Sequence, residues 1–170
     1  MHYEGAIESH GVPRYKDGAH WISRPRHEWP QEMIDADVAY VACMEKETFW
    51  SSIKPMHDAK LLWHFCRSYN PEILTAAPTD RPGETRFSLI RDRIAQDKRD
   101  SIHRHFDIIF PAERIHVCLR HEKSKFAAPG HILVDDTPGN CHEWTEAGGT
   151  AVLHTDAITT IKKLRELLHV

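Results

Sequence analysis

The stretch HILVDDTPGN, residues 131–140, decides how this chain is read. Ile132, Leu133 and Val134 run straight into Asp135 and Asp136, and a Pro-Gly pair follows. A short apolar run closed by turn residues suits a strand buried on both faces, the kind found in parallel sheets. Two adjacent carboxylates at the end of such a strand repel each other. Near a low-dielectric core that repulsion raises at least one pKa unless a cation or a hydrogen-bond donor offsets it. A positive group is therefore expected beside the pair, and without a bound cation at least one of the two carboxyls should titrate high.

Outward from this stretch the chain alternates between apolar runs and helical patterns. Parallel strands are expected at about 72–75, 107–110, 115–118, 131–134 and 150–153, with Thr75 closing the first of them. Helical periodicity marks PMHDAKLLWHFCRSY, where Ala59, Leu62, Trp63 and Cys66 share a face, and a second helix is expected over roughly 84–105. NCHEWTEAG reads as a short helix, with Trp144 covering the sheet and Gly148-Gly149 allowing a tight turn into TAVLH. DAITTIKKLRELL reads as an amphipathic helix with Ile158, Ile161, Leu164 and Leu168 on its inner side. Strand–helix alternation of this kind predicts an α/β fold, a parallel sheet wrapped on both faces. The first quarter, with Pro13, Pro25 and Pro30, is the least regular. Residues 1–47 are expected to form an N-terminal helix and a cap-like segment, and residues 48–170 the core of a single domain.

Composition narrows the partners. The chain has 170 residues, 41% hydrophobic and 28% charged, which is enough for one real core. Its net charge of −3 gives no basic field for a nucleic-acid polymer or an anionic membrane. Cys43, Cys66, Cys118 and Cys141 stand far apart without a C-x-x-C pair, so neither a zinc knuckle nor a disulfide framework is indicated. No run approaches the length of a membrane span, and a cytoplasmic protein is expected. The 14 histidines include His103 and His105, but a helix sends positions i and i+2 to different sides, which argues against a shared metal.

In an open parallel sheet, ligands bind beyond the carboxyl ends of the strands. Thr75 and the Asp135–Asp136 pair occupy such ends, and Lys123 and Lys125 lie shortly before the second. A hydroxyl, an ammonium and a carboxylate pair at one sheet edge suit a phosphate held beside a divalent cation.

These residues resemble the haloacid dehalogenase-like (HAD) phosphatases, most closely their small 5'-nucleotidase or 5'(3')-deoxyribonucleotidase-like branch. FWSSIKPMHDAKLLW and ILTAAP resemble the approach to the second motif and the motif itself, and HEKSKFAAPGHILVDDTPGN resembles the third and fourth motifs. The resemblance runs from about Thr48 to Val170. It implies a three-layer Rossmann-like fold and a magnesium-dependent phosphomonoesterase acting on a small phosphorylated substrate such as a nucleotide or deoxynucleotide. It also implies Thr75 and Lys123 as phosphate-binding catalytic residues, with Lys125 as the weaker alternative, and Asp135 and Asp136 as magnesium ligands. Lys98 also matches a recurring family lysine, although a surface role is the plainer expectation for it.

Family members attack phosphorus with the first aspartate of a D-x-D motif at the end of a central first strand, forming an aspartyl-phosphate; the second aspartate handles the leaving-group and water protons. Here the only D-x-D is Asp35-Ala36-Asp37, preceded by too few apolar residues for a buried strand. Asp35 and Asp37 are therefore weak alternatives for the catalytic pair, and a solvated position at the start of a helix or strand is expected for them. The fold is expected to lack its first central strand, leaving a sheet edge open to self-association, and the phosphatase to be impaired. The alternative is a non-catalytic or truncated HAD-like module that binds a phosphate ligand or a partner.

Overall fold

The structure is a computed structural model, and it describes residues 25–80, 83–106 and 110–170. It is a mixed α/β protein. Its described elements run in the order α1 (Gln31–Glu45), α2 (Glu47–Ser52), α3 (Ala59–Cys66), β1 (Ile73–Ala77), α4 (Arg86–Leu89), α5 (Arg91–Phe106), β2 (Ile115–Leu119), a 3-10 helix (Arg120–Phe126), β3 (Ile132–Asp135), α6 (Pro138–Glu146), β4 (Thr150–Leu153) and α7 (Ala157–Leu168).

Among the described residues all strand pairing is parallel, and it falls into two separate ladders. β1 pairs with β2, Thr75 opposite Val117, and β3 pairs with β4, Asp135 opposite Leu153. Among the described residues β1 and β3 each keep one edge outside any ladder. The 3-10 helix leaves the end of β2 and packs against β1, β2 and α6, so it ties the two ladders together at their carboxyl ends.

The largest core cluster lies on one side of β1, where Val41, Cys43 and Met44 of α1 meet Phe49 and Trp50 of α2, together with Ile53, Phe87 and Ile94. Phe49 and Trp50 cross edge-to-face at 5.0 Å, and the Trp50 indole donates to Met44 O at 2.8 Å, so its one polar atom is satisfied. Burying each such ring contributes about 2–3 kcal/mol.

Several expectations need correction. Residues 31–45 are a regular helix that supplies core residues, because Pro30 sets its start and the interior is free of Gly and Pro. Strand β1 extends to Ala77, which places Thr75 mid-strand rather than at its end. The helix expected over 84–105 is broken at Ile90 into α4 and α5. The strand expected at 107–110 falls mostly outside the described residues, and Phe110 lies in a coil. In α7 the buried face is Ala157, Thr160 and Leu164, whereas Ile158 is 75% exposed. The buried residues stand at i, i+3 and i+7, a stripe from which Ile158 is rotated by about 100°, and the Asp156 carboxylate caps the helix by accepting from Thr159 N.

The glycine turn behaves as expected. Gly148 has φ +91, and a Cβ at Gly149 would collide with the indole of Trp144, which packs across the turn.

Candidate functional site

Each ladder presents one lysine and one oxygen group near its carboxyl end. On the first, Lys98 comes from α5. Ile94, Lys98, Ser101 and Ile102 form the buried face of that helix, at the spacing i, i+4, i+7, i+8. Lys98 is completely buried; its ammonium donates to Thr75 Oγ1 at 3.2 Å and to Ala76 O at 2.6 Å, and lies 4.8 Å from the Trp50 ring centroid. Burial, with a smaller push from the charge of Lys123, brings its pKa down to about 7. The surface role expected for Lys98 is therefore overturned.

On the second ladder, Lys123 projects from the 3-10 helix, nearly buried, and its ammonium meets Asp135 Oδ2 at 2.6 Å. Asp135 Oδ1 accepts from Thr137 N and from the Asn140 amide, both at 2.9 Å. Burial alone would raise this carboxyl's pKa. The Lys123 hydrogen bond and charge, with the Thr137 and Asn140 donors, outweigh burial and hold it below the ordinary carboxylate value. The expectation of a raised pKa fails at Asp135 for that reason: the cation beside the carboxylate is a lysine of the same chain. Arg120 fixes the 3-10 helix onto α6 through Asn140 Oδ1 at 3.1 Å and Glu143 Oε1 at 2.8 Å. The amide that supports Asp135 is thus itself held in place.

The other candidates are placed differently. Asp136 is exposed, its carboxylate contacted by the Thr137 hydroxyl at 3.4 Å. Lys125 is also exposed and pairs with Glu122 at 2.9 Å rather than with the aspartates. Asp35 and Asp37 lie within α1. Asp35 is exposed and accepts from Gln31 at 2.8 Å, and Asp37 forms an ion pair with Arg26 at 3.0 Å. Neither sits at a strand end.

Thr75, Lys98, Lys123 and Asp135 are thus brought into one neighbourhood by two ladders and the 3-10 helix that joins them. Two ammonium groups that feel each other's charge, next to a hydroxyl, can receive an anion with several oxygens. Two adjacent carboxylates suit magnesium, which commonly takes one or two carboxylates and keeps waters for its remaining positions. A carboxylate has about four lone-pair sites, of which Asp135 uses three, and Asp136 is open to solvent. No group of three or more His, Cys, Asp or Glu side chains suited to a metal is found among the described residues.

Lys98 is the residue that sequence reasoning undervalued. Its signal was the helix register, since position 98 falls on the same stripe as Ile94 and Ile102. The four cysteines are free thiols, and no described helix is long and apolar enough to cross a membrane. Comparison of the chain with protein-family models, curated proteins and solved structures finds no match.

Proposed function

We propose that this chain is a HAD-type phosphate-handling protein, a magnesium-dependent phosphomonoesterase site for a small phosphorylated substrate such as a nucleotide or deoxynucleotide. The observation that carries the reading is that Lys98 bonds Thr75 in the middle of β1 while Lys123 bonds Asp135 at the carboxyl end of β3, the two ammonium groups being near enough to feel each other's charge. In this reading Thr75 and the two lysines bind phosphoryl oxygens, and Asp135 orients Lys123. Magnesium would be held by Asp135 and Asp136 and would neutralise charge on the same oxygens.

The nucleophile is the part that the described residues do not supply at this location. A three-layer Rossmann-like sheet would form if a strand ending in D-x-D entered between β1 and β3, whose outer edges carry no ladder among the described residues. The same bare edges offer a route to self-association.

A second reading, a non-catalytic module that binds a phosphate ligand, is favoured by one observation: the sole D-x-D lies on a helix, with both aspartates already partnered.

Titration calorimetry with inorganic phosphate and with a deoxynucleoside monophosphate, each with magnesium, tests the site. Saturable binding that weakens about tenfold in Thr75→Val is expected, without turnover above background. Fusing an apolar strand ending in D-x-D should then restore phosphate release. Absence of phosphate binding to the wild-type chain would overturn both readings.

A further inference from the structure

Helix α3 carries more apolar surface than the described residues cover. Six of its eight residues, AKLLWHFC, are apolar, yet none is fully buried. A helix of that length does not hold itself in water and depends on what packs against it. One support is α7, which runs beside α3 in the same direction. Ala157 N donates to the Asp58 carboxylate at 2.7 Å at one end, and the Arg165 guanidinium lies 5.7 Å from the Phe65 ring centroid towards the other.

Two helices laid side by side leave a groove along their outer surface. On the α3 side Leu61, Phe65 and Tyr69 follow one another at i, i+4 and i+8, the two rings 5.4 Å apart. Ile158 and Arg165 stand at i and i+7 on the α7 side. Leu61 is 50% exposed, Tyr69 44% and Ile158 75%. Apolar side chains grouped at a surface and rimmed by charge mark an interaction site. This rim is basic: Lys60, Lys162 and Arg165 are all exposed. Helix α3 contains no acid, and α7 sets Lys162, Lys163 and Arg165 against Glu166 alone. Asp58, at the head of the groove, is turned inward onto Ala157 N.

We propose that the α3–α7 groove docks an acidic amphipathic helix of a partner protein. Apolar residues of the partner at i, i+4 and i+7 enter between Leu61, Phe65 and Ile158, and its flanking carboxylates face Lys60, Lys162 and Arg165. Since α3 is about 12 Å long, about two turns of the partner span it. The proposal rests on these two helices and does not depend on the phosphatase reading.

The test measures fluorescence anisotropy of a labelled synthetic helix, with leucines at i, i+4 and i+7 and glutamates on its flanks, titrated with the full chain. The same peptide with lysine for every glutamate, and one of the same composition scrambled so that the leucines do not align, are the controls. Saturable binding is expected for the acidic amphipathic peptide alone. Lys60→Glu with Lys162→Glu, both exposed, should weaken it about tenfold or more, and Ile158→Ser should act in the same direction. Lys46→Glu, an exposed charge reversal between α1 and α2, should have little effect. Urea unfolding checks that each variant folds. Absence of binding, equal binding of either control peptide, or equal effects of the groove and Lys46 reversals would each overturn the proposal. So would a wild-type dimer in sedimentation equilibrium that Ile158→Ser dissolves, which would assign the groove to a second copy. Co-sedimentation with phosphatidylserine vesicles that the lysine reversals abolish, without peptide binding, would assign it to a membrane surface instead.

Discussion

Lys98 and Lys123 are both buried lysines set against parallel strands, yet their surroundings differ in how the charge is met. Lys98 donates to a hydroxyl and a backbone carbonyl, and burial brings its pKa down to about 7. Lys123 meets a carboxylate at 2.6 Å, and the benefit appears on the partner, as a lowered Asp135 pKa. Removing a charge from water is offset best by an opposite charge and only partly by neutral oxygens. The second ladder therefore holds a settled ion pair. The first holds a cation near its titration point, which an incoming anion would stabilise in the charged form.

The sharpest way to break this contrast is to remove each ammonium in turn. Lys123→Met leaves the Asp135 carboxylate nearly buried with only its amide donors, and should cost about 3–5 kcal/mol in urea unfolding. Most of that should return in the Lys123→Met, Asp135→Leu double variant. Lys98→Met removes a cation whose charged form burial disfavours, and stability at pH 7 should stay level or rise. Equal losses in the two single variants would mean that the lysines are held alike.

A second effect, on the order of 5 kcal/mol over the whole window, separates the two lysines by pH. The folded pKa of Lys98, about 7, lies below its ordinary 10.5. Between these values the unfolded chain keeps a proton that the folded chain has lost, so stability should rise with pH across that window. Lys98→Met should flatten the rise. Asp135 acts at the acid end: its folded pKa lies below 3.8, so its contribution is full above that value and is lost as pH falls through the lower folded one. Calorimetric phosphate binding at pH 7.5 in buffers of different ionisation enthalpy should show net proton uptake, as Lys98 regains its charge.

How far the sequence could be read differs between these same regions. The Asp135 end was legible because its signals are local: an apolar triplet, two acids, a Pro-Gly turn and Lys123 a short loop upstream. Strand β4 and the glycine turn were legible for the same reason. Lys98 was not, because its partner Thr75 is 23 residues away and only the register of α5 joins them. Which strands would pair was also hidden, since a strand's neighbours depend on tertiary pairing and its own periodicity is the same at an edge as in the middle. Residues 31–45 were misread because nearby prolines suggested irregularity, whereas Pro30 in fact starts the helix.

The β3–β4 ladder has a third, smaller support in Gly149, which tests whether Asp135 is held by the turn as well as by Lys123. Trp144 packs where a Cβ at Gly149 would stand, and its indole donates to His131 O at 3.4 Å, just before β3. Gly149→Ala should displace the ring and cost about 1–3 kcal/mol by thermal unfolding. A neutral result would show that Trp144 moves freely and that the Lys123, Thr137 and Asn140 contacts of Asp135 hold the strand end without the turn.

The smallest effect is expected where a carboxylate stands away from both ladders. Asp35 is exposed in the second turn of α1, and its contact with Gln31 can be kept by an amide. Asp35→Asn removes one exposed charge in the second turn, beyond the reach of the helix N-terminus. Stability should therefore change by no more than about 0.5 kcal/mol in urea, and phosphate affinity should not change, whereas Asp135→Asn should alter both. The pair of variants asks whether a carboxylate matters because of its motif or because of its place in the fold. Magnesium-dependent phosphate release by the wild-type chain that vanished in Asp35→Asn would decide for the motif. It would require α1 to unwind and carry Asp35 to the strand ends, since in its helical position that side chain is bonded to Gln31 and open to solvent.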